Sequence, residues 1–234
     1  MSLSIESETG KLRQVLVHLP GREIDRMVPS MMQNLLFDDI LFGARAREEH
    51  RRFQQLLGFV ADEVVEVKDL LEEVLADEER RAVVLASMAA DLGWAADVGE
   101  RLARMAPEEL ASALVEGIPR ESPAISDSID SLFLLPPVPN WFFQRDPAIV
   151  VGDKVIRASM ATPARLREPL LSGAVSRTTR ASRARGARSG SRSFPRPGAP
   201  PSRGRGCGRR WKGATSSSSA RISSRSATRS GRRR

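Results

Sequence analysis

Asn140, Phe143 and Asp146 fall within seven residues of one another, and Arg165 follows nineteen residues after Asp146. A carboxylate can accept two parallel N–H bonds from a planar cation, an arginine fork can grip a carboxylate, and an amide both donates and accepts. Without further context an Arg145-Asp146 dipeptide reads as a surface ion pair, because charged residues sit mostly in water. His18 closes an apolar run and His50 lies among Arg, Glu and Gln. Each reads as a structural histidine satisfied by a hydrogen bond, not as a catalytic base. Asp38 and Asp39 read as turn or capping residues. Cys207 is the single cysteine, so an intramolecular disulfide is excluded and a cysteine-built zinc site is not expected. Its arginine neighbours can lower its pKa, but they do not place it in a pocket.

The elements that must hold these residues alternate between strand and helix patterns. Leu12 to His18 is a short β-branched run closed by Pro20-Gly21, which predicts a buried first strand and a turn. Ala44 to Leu57 places Ala46, His50, Phe53 and Leu57 three or four residues apart, an amphipathic helix that Gly58 ends. Glu63 to Val67 reads as a second strand, so the two strands form a parallel pair across one helix. From Asp69 to about Ala124 strand signals are absent and several short helical stretches follow one another, one of them opened by Pro107-Glu108-Glu109. Leu132 to Val138, Ala148 to Val151 and Lys154 to Ala158 resume the strand pattern, with Gly152-Asp153 as a tight turn. A helix start is expected within Pro163 to Leu171.

Charge divides the 234 residues unevenly. Residues 174–234 contain 17 Arg, one Lys and 14 Ser with no Asp or Glu, a charge of +18, against −10 for residues 1–173. The basic stretch has too few bulky apolar residues (Val175, Phe194, Trp211, Ile222) to offset ordering entropy, and it is expected to be disordered. No run of about 18 apolar residues exists and the first nine residues lack a signal-peptide pattern, so neither a membrane span nor secretion is expected and the default location is the cytoplasm.

Three segments together resemble the arginine deiminases of the guanidino-group-modifying superfamily. Gly10 to Gly21 (GKLRQVLVHLPG) is similar to the family's opening strand and turn, and Leu35 to Ile40 (LLFDDI) to its following loop. Pro139 to Pro147 (PNWFFQRDP) and Met160 to Arg165 (MATPAR) are similar to its Pro-Asn…Phe-Thr-Arg-Asp block and Pro-Ala-Arg segment. The resemblance covers residues 1–173. Leu19 stands where the family usually has Arg, Gln144 where it has Thr, and Trp141 is bulkier than common.

The resemblance implies L-arginine as substrate, hydrolysed to L-citrulline and ammonia without a metal or organic cofactor. It assigns Asp146 to the substrate guanidinium as a catalytic carboxylate, and Arg165 to the amino acid's own carboxylate. Asn140 adds a hydrogen bond and Phe143 walls the pocket. A cysteine thiolate that attacks the guanidinium carbon, and a His and Glu pair that moves protons, belong to the family mechanism. None of these three has a counterpart in this sequence, so the chain is expected to be inactive. The implied fold is α/β, a pseudo-symmetric propeller of ββαβ blades with a helical insertion, present here in part. The expected organisation is a first blade at 1–68, the insertion at 69–126, the start of the next blade at 127–173 and the disordered basic tail at 174–234. A homo-oligomer is compatible with the family.

The tail has two readings. With GC-rich codons, the adjacent reading frame of Arg210 to Arg221 spells Val-Glu-Gly-Gly-Asp-Val-Leu-Val-Leu-Gly-Pro, similar to the family strand that carries its catalytic Glu. Ser176 to Arg183 shifts to Leu-Pro-Asp-His-Pro-Arg-Phe, similar to its next segment. A single-nucleotide frameshift near Ser172 to Val175 accounts for both. The alternative is an Arg/Ser/Gly segment that binds nucleic acid through phosphate charge; only Phe194 and Trp211 are available for base stacking there, and binding without sequence specificity is expected. A third reading, an amidinotransferase, is disfavoured by the size of the helical insertion.

Overall fold

Val15 and Val17 lie in the first strand, β1 (Gln14–Val17), of a computed structural model that describes residues 3–121 and 129–184. The turn through Pro20 and Gly21 leads to α1 (Arg22–Asp25), a 3-10 turn at Pro29–Met31 and the single helical turn α2 (Met32–Leu35). Helix α3 (Gly43–Val60) then crosses to β2 (Glu63–Glu66). The strands pair in parallel, Val15 opposite Val64 and Leu16 opposite Val65, which is the β-α-β unit that the spacing predicts. Two details of α3 differ from expectation. It runs through Gly58, and it turns Gln54 inward while Phe53 is half exposed. Gln54 Nε2 lies 3.5 Å from Glu66 Oε2 at the end of β2, an oxygen that also accepts from the Leu19 amide.

Four helices follow: α4 (Val67–Ala76), α5 (Glu78–Leu92), α6 (Ala96–Ala103) and α7 (Pro107–Glu116). Their boundaries are local chemistry. Asp77 Oδ1 accepts from the Arg80 amide to cap α5, Gly93 ends it in the left-handed region, and Pro107 occupies the first turn of α7. Arg26 closes α7 from a distance, its Nη1 donating to Glu116 O at 2.8 Å and Gly117 O at 2.6 Å. After α7 comes a strand that no sequence signal announced, β3 (Ile118–Pro119), paired antiparallel with β4 (Phe133–Leu135). Two residues carry no periodicity. The pairing depends instead on Gly117, at φ +76°, where a Cβ would stand 2.5 Å from Leu135 O and 2.6 Å from Pro137 N. A short helix, α8 (Ile129–Leu132), precedes β4. The expected boundary at residues 126 and 127 lies outside the described residues.

Pro139–Phe142 forms a 3-10 turn, and β5 (Ala148–Val151) and β6 (Lys154–Arg157) form the antiparallel hairpin expected around Gly152-Asp153, with Gly152 at φ +57°. After a 3-10 turn at Pro163–Arg165 the chain enters α9 (Arg167–Ala184). The expected boundary at residue 173 falls inside this helix, and Ala174 and Val175 are buried. The tail composition had masked a core-facing helical turn, because two small apolar residues weigh little in a composition window and much in a packed interface. The expectation of disorder covers residues 174–234; residues 174–184 belong to α9, and residues 185–234, including Cys207, lie outside the described residues.

One continuous core links Leu71 and Leu75 of α4, Leu110 and Leu114 of α7, Leu135, Trp141 and Leu171. The helical segment therefore shares its core with the elements that follow it. A smaller cluster of Met27, Met31, Leu35 and Phe133 lies under α2. The fold is mixed α/β as expected. The described residues make three two-stranded sheets and close no ring of blades.

Candidate functional site

The Pro139–Phe142 turn is held at three points. Trp141 is fully buried, its indole Nε1 3.4 Å from Ser172 Oγ on α9 and its ring 4.7 Å from that of His18. The Asn140 Nδ2 group donates to Leu35 O at 2.9 Å, satisfying a carbonyl at the end of α2. Its Oδ1 is buried and has no partner. Beyond the turn, the Phe143 amide donates to Asn140 O and the Asp146 amide to Phe143 O, at 2.9 and 3.2 Å. These bonds fold the chain back so that Asp146 projects from a pinned loop. Phe143 is 45% exposed and packs on Phe142 with ring centroids 4.0 Å apart.

Arg165 ends the Pro163–Arg165 turn, which packs against α2 through Ala164 in the Leu35 cluster. Thus α2 touches both Asn140 and the segment carrying Arg165. The Arg165 guanidinium is shared by two carboxylates. Its Nε and Nη2 donate to Glu168 Oε1 and Oε2, each at 2.8 Å, and Nη2 also donates to Asp146 Oδ2 at 2.8 Å. Glu168 is fully buried, whereas the Asp146 side chain is 45% exposed. Hydrogen bonding to Glu168, opposed by burial and aided by Asp146, raises the Arg165 pKa above its already high value. Burial pushes the Glu168 carboxyl up from its ordinary range, and the Arg165 contacts oppose that shift. Arg167, next to Glu168, is also buried, with Nη2 donating to Pro136 O and Nε unpartnered. Burial lowers its pKa and the Glu168 charge opposes this.

Of the four residues singled out from sequence, Asp146 and Arg165 are in direct contact, and Asn140 and Phe143 belong to the turn that delivers Asp146. Glu168 was missed. Its signal was present: a carboxylate three residues after Arg165, in the first turn of a helix, lies within reach of the arginine side chain.

A second polar cluster surrounds His18, where a structural role was expected. Its ring lies between two carboxylates, Nδ1 2.8 Å from Glu66 Oε1 and Nε2 3.2 Å from Glu23 Oε1. Burial by itself would depress the His18 pKa, but the hydrogen bonds and charges of Glu23 and Glu66 outweigh it and raise the value to about 9. Burial would raise the Glu23 carboxyl, yet the bond and charge from His18 leave it lowered. His50 stacks edge-on with Phe53 and Phe142, and burial lowers its pKa. The described residues contain no cluster of three or more metal-ligating side chains and no helix long and apolar enough to cross a membrane.

The model of the arginine deiminase family matches residues 33–182, a span that includes Asn140, Phe143, Asp146, Arg165 and Glu168. The chain belongs to the arginine deiminase family. It is 36% identical over 182 residues to an arginine deiminase of Limosilactobacillus fermentum, covering 72% of this chain and 45% of that protein. Arginine deiminases of Rhodococcus erythropolis (35% identical; 71% of this chain, 44% of the relative) and Staphylococcus haemolyticus (33%; 72% and 44%) match similarly. The chain thus spans less than half the length of the relatives it matches. Two departures from the arginine deiminase pattern have visible partners here. Trp141 fills the core between His18 and α9, and Gln144 Nε2 donates back to Trp141 O within the loop that presents Asp146. At the third, Leu19, the backbone amide donates to Glu66 Oε2 at 2.8 Å.

Proposed function

We propose that residues 1–184 form the arginine-holding portion of an arginine deiminase, with Asp146 receiving the substrate guanidinium and Arg165 its carboxylate. The observation that carries this reading is the contact between Asp146 and Arg165 at a partly exposed position, within the block that matches the family. A carboxylate holds a planar guanidinium through two parallel hydrogen bonds, and a guanidinium holds a carboxylate in the same way. Side by side, the two residues offer complementary ends for one zwitterionic amino acid. Asn140 Oδ1, buried and unpartnered, supplies an acceptor for a nearby N–H, and exposed Phe143 supplies an apolar wall.

The chemistry the family performs, hydrolysis of L-arginine to L-citrulline and ammonia in the cytoplasm, needs a thiolate nucleophile and a His and Glu pair. We assign none of these roles to His18, His50 or Cys207. The described part is one arc of a propeller whose further blades would cover the half-exposed Ile149, Val151 and Ile156 of the β5–β6 hairpin. We attribute the Arg/Ser/Gly stretch to a change of reading frame, placed after Val175, whose side chain still packs in the core. Two assays test the reading. Calorimetry with the 234-residue chain is expected to detect L-arginine binding that Asp146→Ala abolishes, and citrulline release is expected to be nil until the frame is restored. A frame-restored chain without activity would refute the assignment.

A further inference from the structure

The guanidinium of Arg165 has two edges able to form paired hydrogen bonds, a side edge (Nε and Nη2) and an end edge (Nη1 and Nη2). Glu168 takes the whole side edge. The end edge is therefore the only fork left for a ligand carboxylate, and Asp146 already occupies half of it by accepting from Nη2. The two carboxylates differ in how firmly they hold. Glu168 is fully buried, makes two bonds and lies on α9, whose Leu170 and Leu171 are buried in the core. Asp146 is half exposed and accepts one bond from Arg165.

We infer that Glu168 is a positioning residue that fixes Arg165 with its end edge outward, and that the Asp146–Arg165 pair is a latch that opens fully only to a ligand carrying both a carboxylate and a guanidinium. This rests on the function proposed above. A ligand carboxylate that docks on Nη1 and Nη2 displaces Asp146 from Nη2. Asp146 is then an unpaired carboxylate beside the ligand, and a guanidinium on that same ligand replaces the one it has lost. The exchange gives up the one bond between Arg165 and Asp146 and gains paired bonds to the ligand carboxylate and a partner for Asp146. A ligand with only the carboxylate leaves Asp146 unpaired, and a ligand with only the guanidinium must strip Asp146 from Arg165 and leave the end edge empty. The latch thus reads both ends of free arginine together.

The test is calorimetry on the full chain with three probes: L-arginine, agmatine (no carboxylate) and L-norvaline (no guanidinium). Wild type is expected to bind L-arginine about tenfold or more tighter than either other probe, the scale of one charge-assisted bond. Asp146→Asn should move the two amino acids in opposite directions, weakening L-arginine about tenfold and tightening L-norvaline, because the end edge is no longer held by a charged competitor. Loss of fold alone cannot tighten any ligand. Glu168→Gln should bring L-arginine and agmatine to within a few fold of each other; if that variant does not fold, Glu168→Asp, which keeps the charge and shortens the reach, should shift the ratio in the same direction. L-norvaline binding unchanged or weaker in Asp146→Asn overturns the latch, and an undiminished ratio in both Glu168 variants overturns the positioning role. Either result leaves arginine binding by wild type intact. Wild type that binds none of the probes removes the proposed function itself, and this inference with it.

Discussion

His18 Nδ1 lies 2.8 Å from Glu66 Oε1, joining the residue that follows β1 to the last residue of β2. The same ring reaches Glu23 through Nε2, and the Leu19 amide donates to the other oxygen of Glu66. One protonated imidazole therefore ties the first turn of the chain to both strands of the parallel pair, beneath Trp141.

The cluster makes stability depend on pH on both sides. The folded pKa of His18, about 9, stands above its ordinary 6.5, so its contribution is complete below about pH 6.5 and is lost as pH rises toward 9. At saturation the contribution is on the order of 3 kcal/mol. Glu23 is shifted down, so its contribution is present above the usual carboxylate range and declines as pH falls below it. Urea unfolding from pH 4 to 10 is expected to show maximal stability near pH 5 to 6.5, and His18→Gln should flatten the alkaline limb. An alkaline limb unchanged by that substitution would contradict the assignment.

Removing the Arg165 side chain leaves Glu168 buried without its fork, with nothing from Arg165 to oppose the upward push of burial on its carboxyl. Arg165→Ala is expected to destabilise the fold by about 3 to 5 kcal/mol, whereas Arg165→Leu combined with Glu168→Leu should recover much of that loss. Chemical denaturation measures the first effect. Arginine binding should be lost in both variants, which separates the pair's contribution to folding from its contribution to recognition.

Gly117 permits close backbone approach, so Gly117→Ala should cost well over 1 kcal/mol. Both its φ of +76° and the carbonyl of Leu135 oppose a Cβ there. In a control at Gly58, in the last turn of α3, where a Cβ meets nothing within 4 Å, Gly58→Ala should stabilise by up to about 0.5 kcal/mol. Thermal melts of the two variants should therefore move in opposite directions.

The tail's charge of +18 without compensating acids predicts RNA binding that falls steeply with salt and does not distinguish sequences. Fluorescence anisotropy with two unrelated single-stranded RNAs should give matching affinities at each salt concentration, and deletion of residues 185–234 should abolish the binding. A strong preference for one RNA would favour a selected nucleic-acid function over a change of frame.

Much of the fold was legible as local pattern. The β-branched run Leu12 to His18, the Gly152-Asp153 turn and the Pro107-Glu108-Glu109 helix start all act over a few residues, and each element stands where they put it. Errors arose where distant partners decide. Periodicity placed Phe53 inward, yet α3 buries Gln54, with its Nε2 toward Glu66 at the end of β2. Composition put Ala174 and Val175 in the tail, although α9 carries both into the core. At the candidate site the motif named Asp146 and Arg165 but ended short of Glu168, whose three-residue spacing from Arg165 gains meaning only once both side chains share one guanidinium.

The amino-acid order by itself determined where β1, β2, α7 and the β5–β6 hairpin form, the division into an acidic body and a basic tail, and the residue types that make this chain an arginine deiminase relative. Those follow from dihedral preferences, apolar spacing and charge, which act over a handful of neighbours. Only the tertiary structure decided that Arg165 is divided between Glu168 and Asp146, that His18 is charged between Glu23 and Glu66, and that Asn140 keeps a buried acceptor free. Those outcomes depend on desolvation and on hydrogen-bond partners up to 105 residues apart, and both exist only once the chain has closed around them.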